Sequence, residues 1–197
     1  MTKSSKIGLG VIVLLIVWAG FYVMDVYNSM VVKDEGVQTA WSQVENQYQR
    51  RTDLIPNLVN TVKGYSEHEA ETLEAVVEAR AKATSTNVDI KDAASFAKFQ
   101  ASQDALSSAL SRLMVVVESY PDLKADQNFL ELQAQLEGTE NRISVERKTY
   151  NETVQDYNIS IRKFPRSFIA NLFGFEKAAL FEAVEGSNVA PVVDFSD

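Results

Sequence analysis

The chain contains no cysteine. Disulfides, thiolate metal sites and cysteine nucleophiles are thereby excluded. Histidine occurs once, as His68 within Glu67-His68-Glu69-Ala70-Glu71. It has no His-x-x-x-His or Glu-x-x-His partner, so with Glu71 it makes at most a weak surface metal site. An acidic first helical turn, favoured by the helix dipole, is the simpler reading of that run. A Ser-His-Asp arrangement would have to use His68, and no nucleophile elbow accompanies it. A P-loop and a dinucleotide fingerprint are also missing. Carboxylates abound, but none sits in an apolar context that would raise its pKa. The chain therefore reads as non-enzymatic, with no catalytic residue, no metal and no cofactor expected.

Positive charge is scarce as well. There are 19 basic residues against 27 acidic ones, for a net charge of −8. Lys3 and Lys6 precede the first apolar run, which leaves −10 for the remainder. Such a surface suits neither nucleic acid nor anionic lipid. Prolines number four, so little interrupts regular structure. What remains is an apolar content of 46% with 23% charged residues, a globular balance.

The one long apolar stretch is Ile7 to Met24, 18 residues without a charge. At about 1.5 Å per residue it reaches about 27 Å, close to a hydrocarbon core of about 30 Å. Trp18 and Tyr22 lie toward its far end, where an interfacial belt places aromatics. A cleaved signal peptide would have a shorter apolar region and a following Ala-x-Ala pattern. Residues 7–24 are therefore expected to be a retained signal anchor contacting the lipid bilayer. Lys3 and Lys6 put the short N-terminus, residues 1–6, in the cytoplasm and the bulk of the chain outside.

Beyond the anchor the chain reads as all-α. Val37, Trp41, Val44, Tyr48, Arg51, Ile55, Leu58, Val62 and Tyr65 recur at alternating steps of four and three, a coiled-coil seam. No turn signal separates this helix from the span, so the two are expected to form one rod ending near Gly64. Pro56 is expected to kink it. A second helix is expected from Ser66, with Glu69 completing a capping box, to about Ala83. Thr84-Ser85-Thr86-Asn87 reads as a loop. A third helix carries Phe96, Phe99, Gln103, Leu106, Leu110, Leu113 and Val117, and ends at Tyr120-Pro121-Asp122. There Pro121 stops one helix and Asp122 can cap the next. The fourth, from about Lys124 to Lys163, carries Phe129, Leu132, Leu136, Thr139, Ile143, Tyr150, Val154, Tyr157 and Ile161. Ser167 to Phe173 suggests one more short turn, and residues 183–197 a flexible tail. The expected fold is a transmembrane helix continuing into a long antiparallel four-helix bundle, residues 25–182, with coiled-coil-like packing.

Arg51 is the charge that breaks the first seam. Buried, it needs an acidic partner on another helix, and Glu146, in the gap of the fourth seam, is the first candidate. Alternatively both side chains snorkel to the bundle edge. Arg50, Arg51 and Asp53 could also cluster around an anion, with salt-bridge clamping the stronger reading. Asn141, Asn151 and Asn158 lie beside the fourth seam, where asparagine can fix register through buried hydrogen bonds. Tyr150 and Tyr157, one heptad apart, share a face and are expected to fill the core.

The stretch Arg50-Arg51-Thr52-Asp53-Leu54-Ile55-Pro56-Asn57-Leu58-Val59 and onward to Tyr65, with Ala40-Trp41 before it and Glu67 after, resembles the signature of the LemA family. Tyr27-Asn28 with Val31-Val32 is similar to the family's segment after its membrane span. Glu118 to Ala125, with Tyr120-Pro121, Asn128-Phe129 and Leu132, resembles its second signature. Glu140-Asn141-Arg142-Ile143, Arg147, Tyr150-Asn151 and Tyr157-Asn158 resemble the third. Phe164-Pro165, Ala170 and Gly174-Phe175 resemble the fourth. The resemblance runs over about residues 27–182. It implies a helical antiparallel bundle on one N-terminal span in the bacterial inner membrane. It also implies relatives linked to bacterial membrane organelles and envelope responses, and no reaction.

Three function classes follow. The first is a homo-oligomeric scaffold that organises or remodels the envelope membrane. The second is an adaptor presenting its acidic face to another envelope protein. The last is an enzyme using the Arg50–Asp53 region. The structural residues singled out are Trp41, Arg50, Arg51, Asp53, Pro56, Asn57, Tyr120, Pro121, Glu146, Tyr150 and Tyr157.

Overall fold

The computed structural model describes residues 3–65 and 69–182, with side chains from Ile7 onward. His68, Ser66 and the tail 183–197 lie outside the described residues. Six helices account for most of the described chain: α1 (Lys3–Lys63), α2 (Ala70–Ser85), α3 (Ala93–Val117), α4 (Pro121–Lys124), α5 (Gln127–Arg162) and α6 (Arg166–Phe173). Among the described residues there is no strand.

α1 runs without a break from the apolar N-terminal stretch through Pro56. It is long and apolar enough at its start to cross a membrane, and none of that apolar window is buried within the protein. Burial begins at its far end: Tyr22 and Val23 are half-buried, and Val26 and Met30 are fully enclosed. From there α1 packs along α5, and α2 packs on α3 and on α1. The partners on α5 and its N-cap descend in number along α1 and the turn that follows it. Lys33 pairs with Asp156, Arg51 with Glu140, and the Tyr65 hydroxyl donates to Asp126.

The helix ends have local causes. Asp92 and Asp126 sit in extended backbone and accept from the Ala94 and Phe129 amides, both at 2.9 Å, so they cap α3 and α5. Asp126, not the expected Asp122, caps the long helix. Residues 121–124 form the separate turn α4, whose Leu123 is fully buried. α2 spans Ala70–Ser85; the expected capping box rests on Ser66, outside the described residues, and the Glu69 carboxylate accepts from the Tyr120 hydroxyl at 2.9 Å. α6 ends at Gly174, whose φ of 74° lies in the left-handed region that favours glycine.

The core falls into two apolar clusters. The one nearer the N-terminal stretch joins Val26, Met30, Val37, Trp41, Val44 and Tyr48 of α1 to Phe96 and Phe99 of α3 and to Ile143, Tyr150, Val154 and Tyr157 of α5. The far one joins Ile55, Leu58 and Val62 to Val76 of α2, Leu106, Leu110 and Leu113 of α3, and Phe129 and Leu136 of α5. Between them lies a polar layer at Arg51.

Candidate functional site

The polar layer is built from three helices, α1, α3 and α5. Arg51 is 1% exposed. Its Nη1 donates to Glu140 Oε1 at 2.7 Å and to Ser107 Oγ at 2.8 Å, and its Nη2 donates to Gln103 Oε1. The guanidinium carbon also stands 5.1 Å from the Tyr48 ring centroid, a cation–π distance. Arg51 therefore has its acidic partner on another helix, but the partner is Glu140 and not Glu146. Glu140 lies six residues before Glu146 on α5, and its 39% exposure leaves one side of the carboxylate hydrated. Glu146 is half-buried further along α5.

Arg50, Arg51 and Asp53 do not converge around an anion site, and Arg51 is clamped by its ion pair instead. Successive helical residues point about 100° apart, so Arg50 and Asp53 are exposed while Arg51 turns inward. Asp53 Oδ1 accepts from Gln49 on its own helix at 2.8 Å. A cavity of about 430 Å³ opens beside the layer, lined by Tyr48, Gln49, Thr52 and Gln103 and by the α2–α3 connection. Glu45 is its one charged lining residue, and the Tyr48 phenol, the other ionisable group in the lining, is raised above its ordinary value by burial. Among the described residues no three His, Asp or Glu side chains converge on a metal-sized site.

Pro56 acts through its missing amide. In an α-helix the carbonyl of residue i−4 would accept from residue i, so proline at 56 leaves the Thr52 carbonyl without its helical donor. Thr52 is buried, and its carbonyl instead accepts from Arg80 Nε of α2 at 2.8 Å. The proline thus opens an acceptor on α1 to which α2 is fastened. Pro56 and Asn57 themselves are exposed.

A second arrangement occupies the other end of α5. Residues 175–182 form an extended strap laid across it. Asn158 donates to the Ala178 carbonyl at 2.9 Å and accepts from the Ala178 amide at 3.0 Å. Asn151 treats Phe181 in the same way, at 3.0 and 2.9 Å. Gln100 of α3 repeats the pattern with Glu182. The Tyr150 and Tyr157 hydroxyls donate to the carbonyls of Ala179 and Glu176, and the Ala179 amide donates to Ile90 O at 2.7 Å. The spacing is a geometric match. A heptad of helix advances about 10.5 Å, and three extended residues advance about 10 Å. Asparagines seven apart therefore meet backbone sites three apart.

The strap carries Phe181 into an aromatic group with Trp41, Phe96 and Tyr150, at centroid distances of 4.8 to 6.1 Å. Arg147 caps this group, 4.4 Å from the Phe181 centroid. Burial pushes the phenols of Tyr150 and Tyr157 well above their ordinary value, and the nearby Asp34 charge adds to the rise at Tyr157. Both tyrosines fill the core as expected. Asn151 and Asn158, expected to bond between helices, bond to the strap instead.

Tyr120 is half-buried against Glu69, and Pro121 opens α4. Trp18 is exposed, with Tyr22 stacked on it at 6.0 Å. Sequence reading missed Glu140 as the arginine's partner, Arg80 as the ligand of Thr52, and Gln100 with the strap. Arg80 could have been sought from the rule that proline frees the carbonyl four residues back. The strap has no such local signal.

The LemA family model matches residues 40–195. A protein named magnetosome protein MamQ 2, from Paramagnetospirillum magneticum, is 28% identical over 175 residues, covering 79% of this chain and 64% of its own length. Magnetosome protein MamQ of Magnetospirillum gryphiswaldense is 26% identical over 174 residues, with the same coverage. Protein LemA of Metamycoplasma hominis is 26% identical over 158 residues, covering 80% of this chain and 69% of its own. The chain thus spans somewhat under two thirds of the magnetosome relatives it matches.

Proposed function

We propose that this chain, which belongs to the LemA family, is a non-enzymatic, membrane-anchored scaffold that self-assembles and organises or remodels the bacterial envelope membrane. The observation that carries the reading is the continuity of α1. Its exposed apolar turns pass into enclosed Val26 and Met30 without a helix end between them. A span joined in this way transmits the orientation of the body to the bilayer as a lever, which suits lateral assembly. The apolar window, left uncovered by the protein itself, needs hydrocarbon around it. Relatives named as magnetosome proteins support a membrane setting.

In this reading α1, α2, α3 and α5 make an antiparallel four-helix bundle, anchored once in the inner membrane with its body outside the cytoplasm. The descending order of α5 partners along α1 supports the antiparallel arrangement.

The test is the mass of the full-length protein in mild detergent beside that of the fragment from Val26 onward. A large, discrete assembly that requires the span is the expected result. Monomers in both samples would reject the scaffold and leave an adaptor for another envelope protein as the better reading.

A further inference from the structure

The membrane-side end of the body carries an apolar face that the core does not use. Ile169 and Ala170 of α6 are buried in the cluster that Tyr22 and Val23 flank, and α6 contacts α1 directly. Tyr27, three residues past Met24 and about 4.5 Å further along the helix, has its ring 4.8 Å from Phe173 and 5.7 Å from Phe175. The opposite face of this element is open. Phe164 is 80% exposed, Phe168 70% and Leu172 77%. They recur every four residues, and the Phe164 and Phe168 rings meet edge to face at 5.9 Å. Other exposed apolar residues of the body, such as Val115 and Val145, stand alone on their helices.

Charge at this level also departs from the rest of the chain. From Tyr157 to Phe175 there are three basic residues, Arg162, Lys163 and Arg166, and no acid, in a protein of net −8. Glu176 and Lys177 follow this stretch directly, Asp156 before it is paired with Lys33, and Asp25 is the acid next to the span, so the cations stay in excess. An amphipathic element with an apolar face and basic flanks settles with that face about 5–10 Å into the boundary between headgroups and acyl chains. A face so placed beside an emerging span meets the same leaflet.

Resting on the reading of α1 as an anchor, we infer that Phe164 and α6 form a foot lying in the plane of that membrane. Phe164, Phe168 and Leu172 enter the leaflet from which α1 emerges, and Arg162, Lys163 and Arg166 stand at its headgroup phosphates. Two attachments, one spanning and one lateral, fix both the height of the body and its rotation about α1.

The missing cysteines make the test direct, because one introduced thiol is labelled without background. Full-length protein carrying Phe168→Cys, Leu172→Cys, Val145→Cys or Leu14→Cys is spin-labelled and reconstituted in vesicles of phosphatidylethanolamine and phosphatidylglycerol. Collision with oxygen, which dissolves in lipid, is compared with collision with a water-soluble nickel complex. Positions 168 and 172 are expected to shift toward oxygen, as 14 does, while 145 stays with nickel. If 168 and 172 behave like 145 while 14 remains in lipid, the foot is refuted and the anchor survives. If 14 is also in water, the anchor fails and the foot with it. Dipolar broadening between labels at 168 in sparsely loaded vesicles would show a second copy on this face and overturn the lipid assignment. Arg162→Glu with Lys163→Glu is expected to move the 168 label toward water; an unmoved label removes the headgroup contact.

Discussion

Pro56 shows how one residue can order a helix pair through an amide it lacks. Its ring deletes a donor, the Thr52 carbonyl is left free in a buried place, and Arg80 reaches across to fill it. Arg80→Ala should therefore cost about 1–2 kcal/mol, the price of an unsatisfied buried carbonyl. With Pro56→Ala in place the helix regains its own donor, and the same arginine change should cost less. A double-mutant cycle in denaturant measures this coupling, expected at about 1 kcal/mol; additive effects would mean the two positions act independently. Arg51 poses the opposite case, a charge that is itself buried. Arg51→Ala strands Gln103 and Glu140, but the partial hydration of Glu140 softens the loss to about 2 kcal/mol, below the usual range for a fully buried pair. Chemical denaturation that finds no loss would place the ion pair outside the energetics of folding. That Arg51 needed a partner was legible from its seam position. Which acid served was not, because Glu140 and Glu146 are both compatible with the sequence and the choice depends on the axial offset of α1 and α5.

The elements divide in the same way between what periodicity reveals and what it cannot. The long seams of α1, α3 and α5 follow from steps of three and four, since each puts one stripe against a neighbour. The strap follows from nothing periodic. It is eight residues outside regular structure, with the Ala178, Phe181 and Glu182 amides held by side chains of α5 and α3 and the Ala179 amide by the Ile90 carbonyl, and its register is set by the match between a heptad and three extended residues. Asn158→Ala removes both bonds to Ala178 and should release the strap around that point. In hydrogen exchange the Ala178 amide should lose protection while amides in the middle of α5 keep theirs. If Asn158→Ala leaves Ala178 protected, the strap is held by Phe181 and the aromatic group rather than by the asparagine ladder. Asparagine beside a seam was read as a fastener between helices. Its long-range partner proved to be backbone, and backbone donors and acceptors leave no mark on a hydrophobic pattern.

At the scale of the whole molecule the polar layer splits the core into two ends that are not equally closed. The end near the apolar stretch is wrapped by the strap, by α6 and by the ion pairs Lys33–Asp156 and Lys91–Asp34. Its aromatic group joins α1, α3, α5 and the strap at once. Among the described residues the far end is closed by the short α4, whose Leu123 is buried, and by single bonds such as Tyr65–Asp126 and Tyr120–Glu69. There a groove of about 470 Å³ lies between α3 and α5, lined by Leu110, Met114 and Leu136 among serines and glutamates. Local opening begins where few contacts cross and where backbone is near solvent. The expected order is therefore that amides of Leu106–Val117 exchange before those of Tyr150–Ile161 under native conditions. If both exchange together at the global rate, the polar layer does not divide the cooperativity of the fold. If Tyr150–Ile161 exchanges first, the strap adds no protection to the end it covers. The expected order would leave the membrane-side half of the body intact while the far half breathes, so that the rigid link from α1 to the body survives local opening.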